Sequence, residues 1–264
     1  MSLKNTKTQK VKKTYETISS GRIPAGFDGF KIAHISDIHA RRCPGVFELI
    51  QGEKPDIIVV TGDILDERYT EKSHARELML KLLTVSGVYF VTGNHDIWGK
   101  DIKKELRGYC EKGAVFLDTE SRLIEKNGDK IAIFGVGDSG KKNMDRTKEH
   151  IKTEFAKLPD FDGYKILLFH RANLFDEIKD YGYDLILSGH MHGGQIKLGV
   201  LGGLLAPSSA LFSGKRVLFP KYTSGIYKSK KTTMLVNCGL GNTLPIPRWG
   251  NPPEVSIITL KCEK

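Results

Sequence analysis

Five places in this 264-residue chain set carboxylates, imidazoles or a side-chain amide directly behind a short apolar run. Phe30–Ser36 leads into Asp37-Ile38-His39, and Asp56–Thr61 into Gly62-Asp63-Ile64-Leu65-Asp66. Val88–Thr92 leads into Gly93-Asn94-His95-Asp96, Lys165–Phe169 into His170, and Tyr183–Ser188 into Gly189-His190-Met191-His192-Gly193-Gly194. Five of the eight histidines lie in the segments directly behind these runs. Oxygen and imidazole donors suit Mn, Fe or Zn better than Cu(I) or an iron–sulfur cluster. Asp37, His39, Asp63, Asn94, His170, His190 and His192 offer seven donors, too many for one ion and about right for two that share a bridge. Two cations about 3.5–4 Å apart can hold a bridging hydroxide and clamp an in-line phosphoryl displacement.

Each motif also has a plain structural reading. Asp-x-His arises by chance, and an aspartate behind a strand is often a helix cap. Gly-Asn is an ordinary turn. Asn94-His95-Asp96 in one turn, and two histidines one residue apart between glycines, are harder to explain as structure alone. The order of all five carries the metal reading. His34, inside the first run, reads as a core residue, while His74 and His150 lie on charged helical stretches and read as solvated.

For these residues to meet, the runs before them must be strands whose ends converge. Phe30–Ser36, Ile57–Thr61, Val88–Thr92, Ile131–Val136, Ile166–Phe169 and Asp184–Ser188 are short and rich in Ile, Val and Phe, as buried strands are. Helical spacing is found in His74–Val85, through Ala75, Leu78, Met79, Leu82 and Leu83, and helices are also expected at Lys100–Lys112, Asp145–Leu158 and Asn173–Tyr181. This alternation predicts an α/β layered domain with ligands beyond the carboxyl ends of the strands. After Gly193, Gly and Pro become frequent. Strands expected at Arg216–Phe219, Thr233–Asn237 and Val255–Leu260 would complete a second sheet. Residues 1–20, Lys-rich and without apolar period, read as a flexible basic lead-in, and 21–264 as a single domain.

The net charge of +10 favours anionic partners, whether phosphorylated substrates, nucleic acid or an acidic membrane surface. No apolar run approaches the roughly 20 residues of a membrane span, and the start shows no signal-peptide pattern. The expectation is a soluble chain, cytoplasmic, or peripheral to a membrane or cell envelope if a natural N-terminal anchor was removed. Cys43, Cys110, Cys238 and Cys262 are scattered and read as reduced, structural residues.

In order and spacing the motifs resemble the calcineurin-like metallophosphoesterase superfamily, whose signature is D-x-H, G-D-x-x-D, G-N-H-D/E, a lone His and G-H-x-H. The resemblance implies a four-layer αββα sandwich of two mixed β-sheets flanked by helices. It implies two divalent metal ions per chain (Mn, Zn or Fe), one held by Asp37, His39 and His192, the other by Asn94, His170 and His190, with Asp63 bridging. A metal-bridging hydroxide would attack phosphorus while His95 protonates the leaving oxygen. Asp96 would orient His95 through its ring nitrogen, and Asp66 would support the site.

A narrower likeness, carried by Gly189–Gln195, Ser224–Tyr227, Gly239-Leu240-Gly241, Pro245-Ile246-Pro247-Arg248 and Pro252-Pro253-Glu254, is to a bacterial phosphodiesterase branch that includes cell-envelope and lipid-related phosphohydrolases. It implies a phosphodiesterase acting on a small-molecule or lipid-linked phosphoester. The alternative is a pyrophosphohydrolase of nucleotide-sugar or lipid-linked substrates. Nucleic acid is not expected, because no basic-aromatic stripe of the kind that stacks bases is present. A non-catalytic scaffold would be expected to have lost ligands or His95. Arg41, Arg42 and Arg248 are candidate phosphate-binding forks, with a solvated surface pair as the other reading of Arg41 and Arg42. Leu198–Ala206 reads as a Gly-rich turn, with a greasy lip touching a membrane surface as the other reading. No protein partner is implied.

Overall fold

The computed structural model describes residues 10–99, 102–141, 143–197, 203–205, 218–242 and 247–263. The elements follow in the order β1 (Lys12–Ser20), β2 (Lys31–Ile35), α1 (Val46–Glu53), β3 (Ile57–Thr61), α2 (Ser73–Leu82), β4 (Gly87–Val91), α3 (Asn94–Trp98), α4 (Ile102–Glu111) and β5 (Val115–Phe116). Then come β6 (Glu120–Lys126), β7 (Asp129–Val136), α5 (Met144–Phe155), β8 (Lys165–Arg171), α6 (Phe175–Ile178), β9 (Leu185–Gly189), β10 (Gly225–Lys228), β11 (Thr233–Val236) and β12 (Glu254–Cys262).

They form two six-stranded mixed sheets, ordered β1-β12-β2-β3-β4-β5 and β10-β11-β9-β8-β7-β6. In the first, β2, β3 and β4 run parallel; in the second, β7, β8 and β9 do. Strand period sorts the side chains into layers. Ile32, Ile57, Val59 and Val91 face Ile133, Ile166, Leu168, Leu185 and Leu187 between the sheets. The alternate residues Ala33, Ile58 and Val60 pack outward on Ile50 of α1, Met79 and Leu82 of α2, and Tyr109 of α4. Phe134, Leu167 and Ile186 pack outward on Ile151 and Phe155 of α5 and Ile178 of α6. The result is helices, sheet, sheet, helices, the four-layer architecture expected.

Two expectations are corrected. Residues 12–20 are not flexible lead-in: they form β1, paired in parallel with Glu254–Cys262 along its whole length. Lys12 and Lys13 keep their charges outside while Ile18 enters the layer between the sheets. Val255–Leu260 does not complete the second sheet but lies in the first, antiparallel to β2. The expected strand Arg216–Phe219 falls largely outside the described residues, with Leu218 forming only an isolated bridge to Leu205. Of Leu198–Ala206, only Gly203–Leu205 is described, bonded to the histidine turn through Leu205 N to Gly194 O (2.9 Å). Pro245 and Ile246 lie outside the described residues. The cysteines are free. His34 is buried and its Nε2 lies 2.8 Å from Thr61 Oγ1. His74 is exposed, whereas His150 is half-buried with Nε2 3.4 Å from Gly137 O.

Candidate metal centre

The motif residues gather where the carboxyl ends of β2, β3 and β4 in one sheet meet those of β8 and β9 in the other. The loops are laced by main chain: Asp37 N donates to Gly62 O (3.0 Å), and His39 N to Asp63 O (2.9 Å). His190 N donates across the sheets to Asp37 Oδ2 (3.0 Å). Gly93 permits β4 to end against β3, because a Cβ there would collide with Asp63 Oδ1. Asp37, His39, Asp63, His190 and His192 all have positive φ, between 47° and 73°. Each such non-glycine residue costs on the order of 1 kcal/mol or more, and five of them fall on expected metal ligands.

Among the described residues three groups of donors gather: Asp37, His39 and His192; Asp63, His170 and His190; and His39, Asp66 and His95, which shares His39 with the first and holds no further expected ligand. In the first, His39 Nε2 and His192 Nε2 are 3.2 Å apart, with Asp37 Oδ1 3.7 Å and 3.4 Å from them. In the second, His170 Nε2 is 3.1 Å from Asp63 Oδ2 and 3.2 Å from His190 Nδ1. Asp63 Oδ2 is also 3.6 Å from His39 Nε2, so this carboxylate touches both clusters. All of these side chains are buried, and Asn94 is buried beside them with neither amide atom hydrogen-bonded in the protein. Asp37 Oδ1 has no hydrogen-bond partner either.

Buried carboxylate and amide oxygens without donors are costly, and imidazole nitrogens turned toward one another at 3.2 Å share either a proton or a cation. The donor set therefore fits divalent cations. The protonation of the cage says the same. Burial opposes charge on His39, but Asp37 and Asp66 outweigh it and raise the ring to about 9. Burial likewise opposes charge on His170, and Asp63 lifts it to about 10. Burial would raise Asp37 and Asp63, yet the surrounding imidazoles hold both well below the usual carboxylate range. Burial pushes His192 down to about 3 and, with the charge of His170, pushes His190 down as well. Without a cation the cage collects protons on two rings, and cations would displace them.

Behind these donors stand residues that fix their direction. His170 Nδ1 lies 2.7 Å from Thr61 O. Asp66 Oδ2 lies 3.2 Å from His39 Nδ1, off the line of a well-aligned hydrogen bond, and is itself bound by Arg68 (2.5 Å). His95 is held by its backbone N–H, which donates to Asp63 Oδ1 (2.8 Å), and its ring meets His39 edge-on at 4.9 Å.

The residues expected around this core are placed differently. Asp96 does not orient the His95 ring: it accepts from the amides of Gly93 (2.8 Å), Leu65 (2.8 Å) and Ile64 (3.3 Å), capping α3 and tying it to the β3 loop. Burial and the neighbouring Asp63 charge push its carboxyl up to about 7. The group at the His95 ring is Glu67, whose Oε2 lies 2.7 Å from Nδ1. Sequence reasoning missed it, although its place directly after Asp66 in the Gly-Asp-x-x-Asp loop was a usable signal. Arg41 is engaged by Tyr69, through its hydroxyl and with the guanidinium carbon 3.9 Å from the ring centre. Arg248 is buried and is not an open phosphate fork. It donates to Cys238 O (2.8 Å), Gly239 O (3.1 Å) and Gly241 O, and it lies 3.1 Å from His192 Nδ1.

A family model described as calcineurin-like phosphoesterase matches residues 30–194, more than half of the chain. The chain belongs to the calcineurin-like phosphoesterase family. Members are metal-dependent phosphoric ester hydrolases, and the His/Asp clusters built around Asp37 and Asp63 are this family member's candidate metal-binding residues. It is 35% identical over 265 aligned residues to the uncharacterized metallophosphoesterase YkuE of Bacillus subtilis (strain 168), covering 95% of this chain and 86% of that protein. It is 25% identical to the phosphodiesterase YaeI of Escherichia coli (strain K12), over 88% of this chain and 82% of that one. Among solved structures, TT1561 of Thermus thermophilus matches with a TM-score of 0.50 at 13% identity, over 80% of this chain and 90% of that chain, a likeness of fold alone. Among the described residues no helix is long and apolar enough to cross a membrane.

Proposed function

We propose that this family member is a dinuclear phosphodiesterase acting on a small-molecule or lipid-linked phosphoester, with Mn, Zn or Fe as its metals. The observation that carries the reading is the reach of Asp63 into both clusters, 3.1 Å from His170 and 3.6 Å from His39. Asp37, His39 and His192 would hold one cation, and Asn94, His170 and His190 the other, with Asp63 shared. Bound there, the cations supply an activated water at neutral pH and neutralise phosphoryl charge. The chain does the rest. The Asp63 carboxylate and the main chain hold His95 in place, and the ring, half-buried and unlike the seven cage residues open to one side, gives a proton to the leaving oxygen. The YaeI relative, named a phosphodiesterase, supports a diester over a monoester. Lipid-linked substrates would bring the chain to a membrane surface peripherally.

The test is metal analysis coupled to turnover of bis-para-nitrophenyl phosphate, mono-para-nitrophenyl phosphate and a UDP-sugar. We expect close to two metal equivalents and a preference for the diester. A protein that holds a single equivalent at full activity would defeat the dinuclear reading, and preference for the UDP-sugar would move the activity to pyrophosphate hydrolysis.

A further inference from the structure

We infer that Glu67 is the positioning residue for His95, fixing which ring nitrogen faces the leaving group. The inference rests on the proton-donor role proposed for His95 above. Asp66, Glu67 and Asp96 are the carboxylates of the neighbouring motifs, and among the described residues only Glu67 is at hydrogen-bond distance from the ring. Asp96 is committed to the amides of Gly93, Leu65 and Ile64. Asp66 Oδ1 is 4.0 Å from His95 Nδ1, and this carboxylate is committed to Arg68 by three contacts (2.5, 2.8 and 3.0 Å) and to His39. Glu67 Oε2 is at hydrogen-bond distance, 2.7 Å from Nδ1.

A carboxylate only accepts, so Nδ1 must carry the proton of this bond. That leaves Nε2 as the nitrogen turned to substrate. The ring is further limited by His39 at 4.9 Å and Trp98 at 5.1 Å, both edge-on, so it cannot swing away without breaking the Glu67 bond. When the bond from phosphorus to the leaving oxygen breaks, its electron pair departs with that oxygen. The proton on His95 Nε2 passes to the oxygen, and the neutral ring keeps Nδ1–H on Glu67. Glu67 touches no reacting atom; it makes the correct nitrogen available. Glu67 is exposed and His95 half-buried, so the pair stands at the rim, where a leaving group can depart into solvent.

The experiment has a structural and a kinetic arm. In metal-free protein at alkaline pH, ¹⁵N NMR of the His95 ring, assigned by the signal missing in His95→Gln, should show the proton on Nδ1; in Glu67→Ala it should move toward Nε2. In metal-loaded protein, methyl phenyl phosphate needs leaving-group protonation far more than methyl 4-nitrophenyl phosphate does. Glu67→Ala should lower kcat for the phenyl ester roughly ten- to a hundredfold, the usual range for a partner of this kind. KM should stay within about twofold and the nitrophenyl ester lose less than about threefold. Glu67→Gln, whose amide oxygen can accept from Nδ1 but carries no charge, should restore the tautomer and part of the rate. Equal losses on both esters, an unchanged rate on the phenyl ester, or an unmoved proton in Glu67→Ala would each overturn the assignment. Wild-type protein inert toward both esters would instead refute the proposed function, and the NMR arm would still decide for or against Glu67.

Discussion

The two halves of the cage are built from the same residue types but supported in different ways. Asp37 takes the His190 amide at 3.0 Å, but behind the two rings of its half, His39 and His192, stand side chains: the Asp66 carboxylate 3.2 Å from the His39 ring, and the Arg248 guanidinium 3.1 Å from the His192 ring. Behind Asp63 and His170 stands main chain: Thr61 O faces His170 Nδ1 at 2.7 Å, and the His95 amide donates to Asp63 at 2.8 Å. A carboxylate behind an imidazole raises its basicity, and a guanidinium does the opposite. The first half is thus tuned by residues that can change without disturbing a strand, while the second is set by the strand ends themselves. Variation of metal affinity should be available in the first half and largely closed in the second.

The heaviest blow to this comparison falls on the residue both halves share. Asp63→Ala removes the carboxylate within 3.6 Å of both clusters, and its metal content, measured by elemental analysis, should fall to one equivalent or none with turnover abolished. Full activity in that variant would mean the halves do not meet at Asp63. Asp66→Ala sharpens the contrast. It should weaken one metal equivalent roughly ten- to a hundredfold in competition with a chelator and leave the other unchanged. Equal weakening of both would show that the side-chain support is not confined to one half.

Gly189→Ala probes the rigid part. A Cβ at this position meets Asp37 Oδ2 at 2.5 Å and collides with Ser36 Oγ, so β9 can close on β2 only through glycine. The substitution should cost about 1–3 kcal/mol of stability in a urea titration, the usual range for overpacking a tight contact. No loss would show that the strand ends have slack.

How much of this was readable beforehand follows the same division. Elements with strong period were legible: Ile57–Thr61 is a strand over the range expected, and the helix expected at His74–Val85 is found at Ser73–Leu82. Motif residues remote along the chain could be expected to gather because each follows a buried strand. What was not legible depended on pairing partners. Thr14 and Tyr15 carry no apolar signal of their own, and β1 exists because β12 offers its edge. Val255–Leu260 reads as a strand but does not say which sheet takes it. Asp96 and Glu67 both stand near His95 in the folded chain, and only the turn of α3 decides that one caps amides while the other reaches the ring. Arg248 looks like a phosphate fork until its burial against three carbonyls is seen.

The smallest expected effect lies farthest from the cage. Arg68 holds Asp66, which acts on His39, so it stands one remove from the first half. Its side chain is 42% exposed while that of Asp66 is fully buried. Solvent screens the exposed guanidinium, and the Arg68 backbone N–H, which donates to Asp66 Oδ1 at 3.0 Å, survives truncation of the side chain. Asp66 stays held by its approach to His39 when Arg68 is removed. Arg68→Ala should therefore change chelator competition at the first half by less than about threefold, against the far larger shift for Asp66→Ala. If Arg68→Ala weakened that equivalent as much as Asp66→Ala, the support of the first half would extend to the protein surface, and its affinity would depend on salt in a way the main-chain half could not.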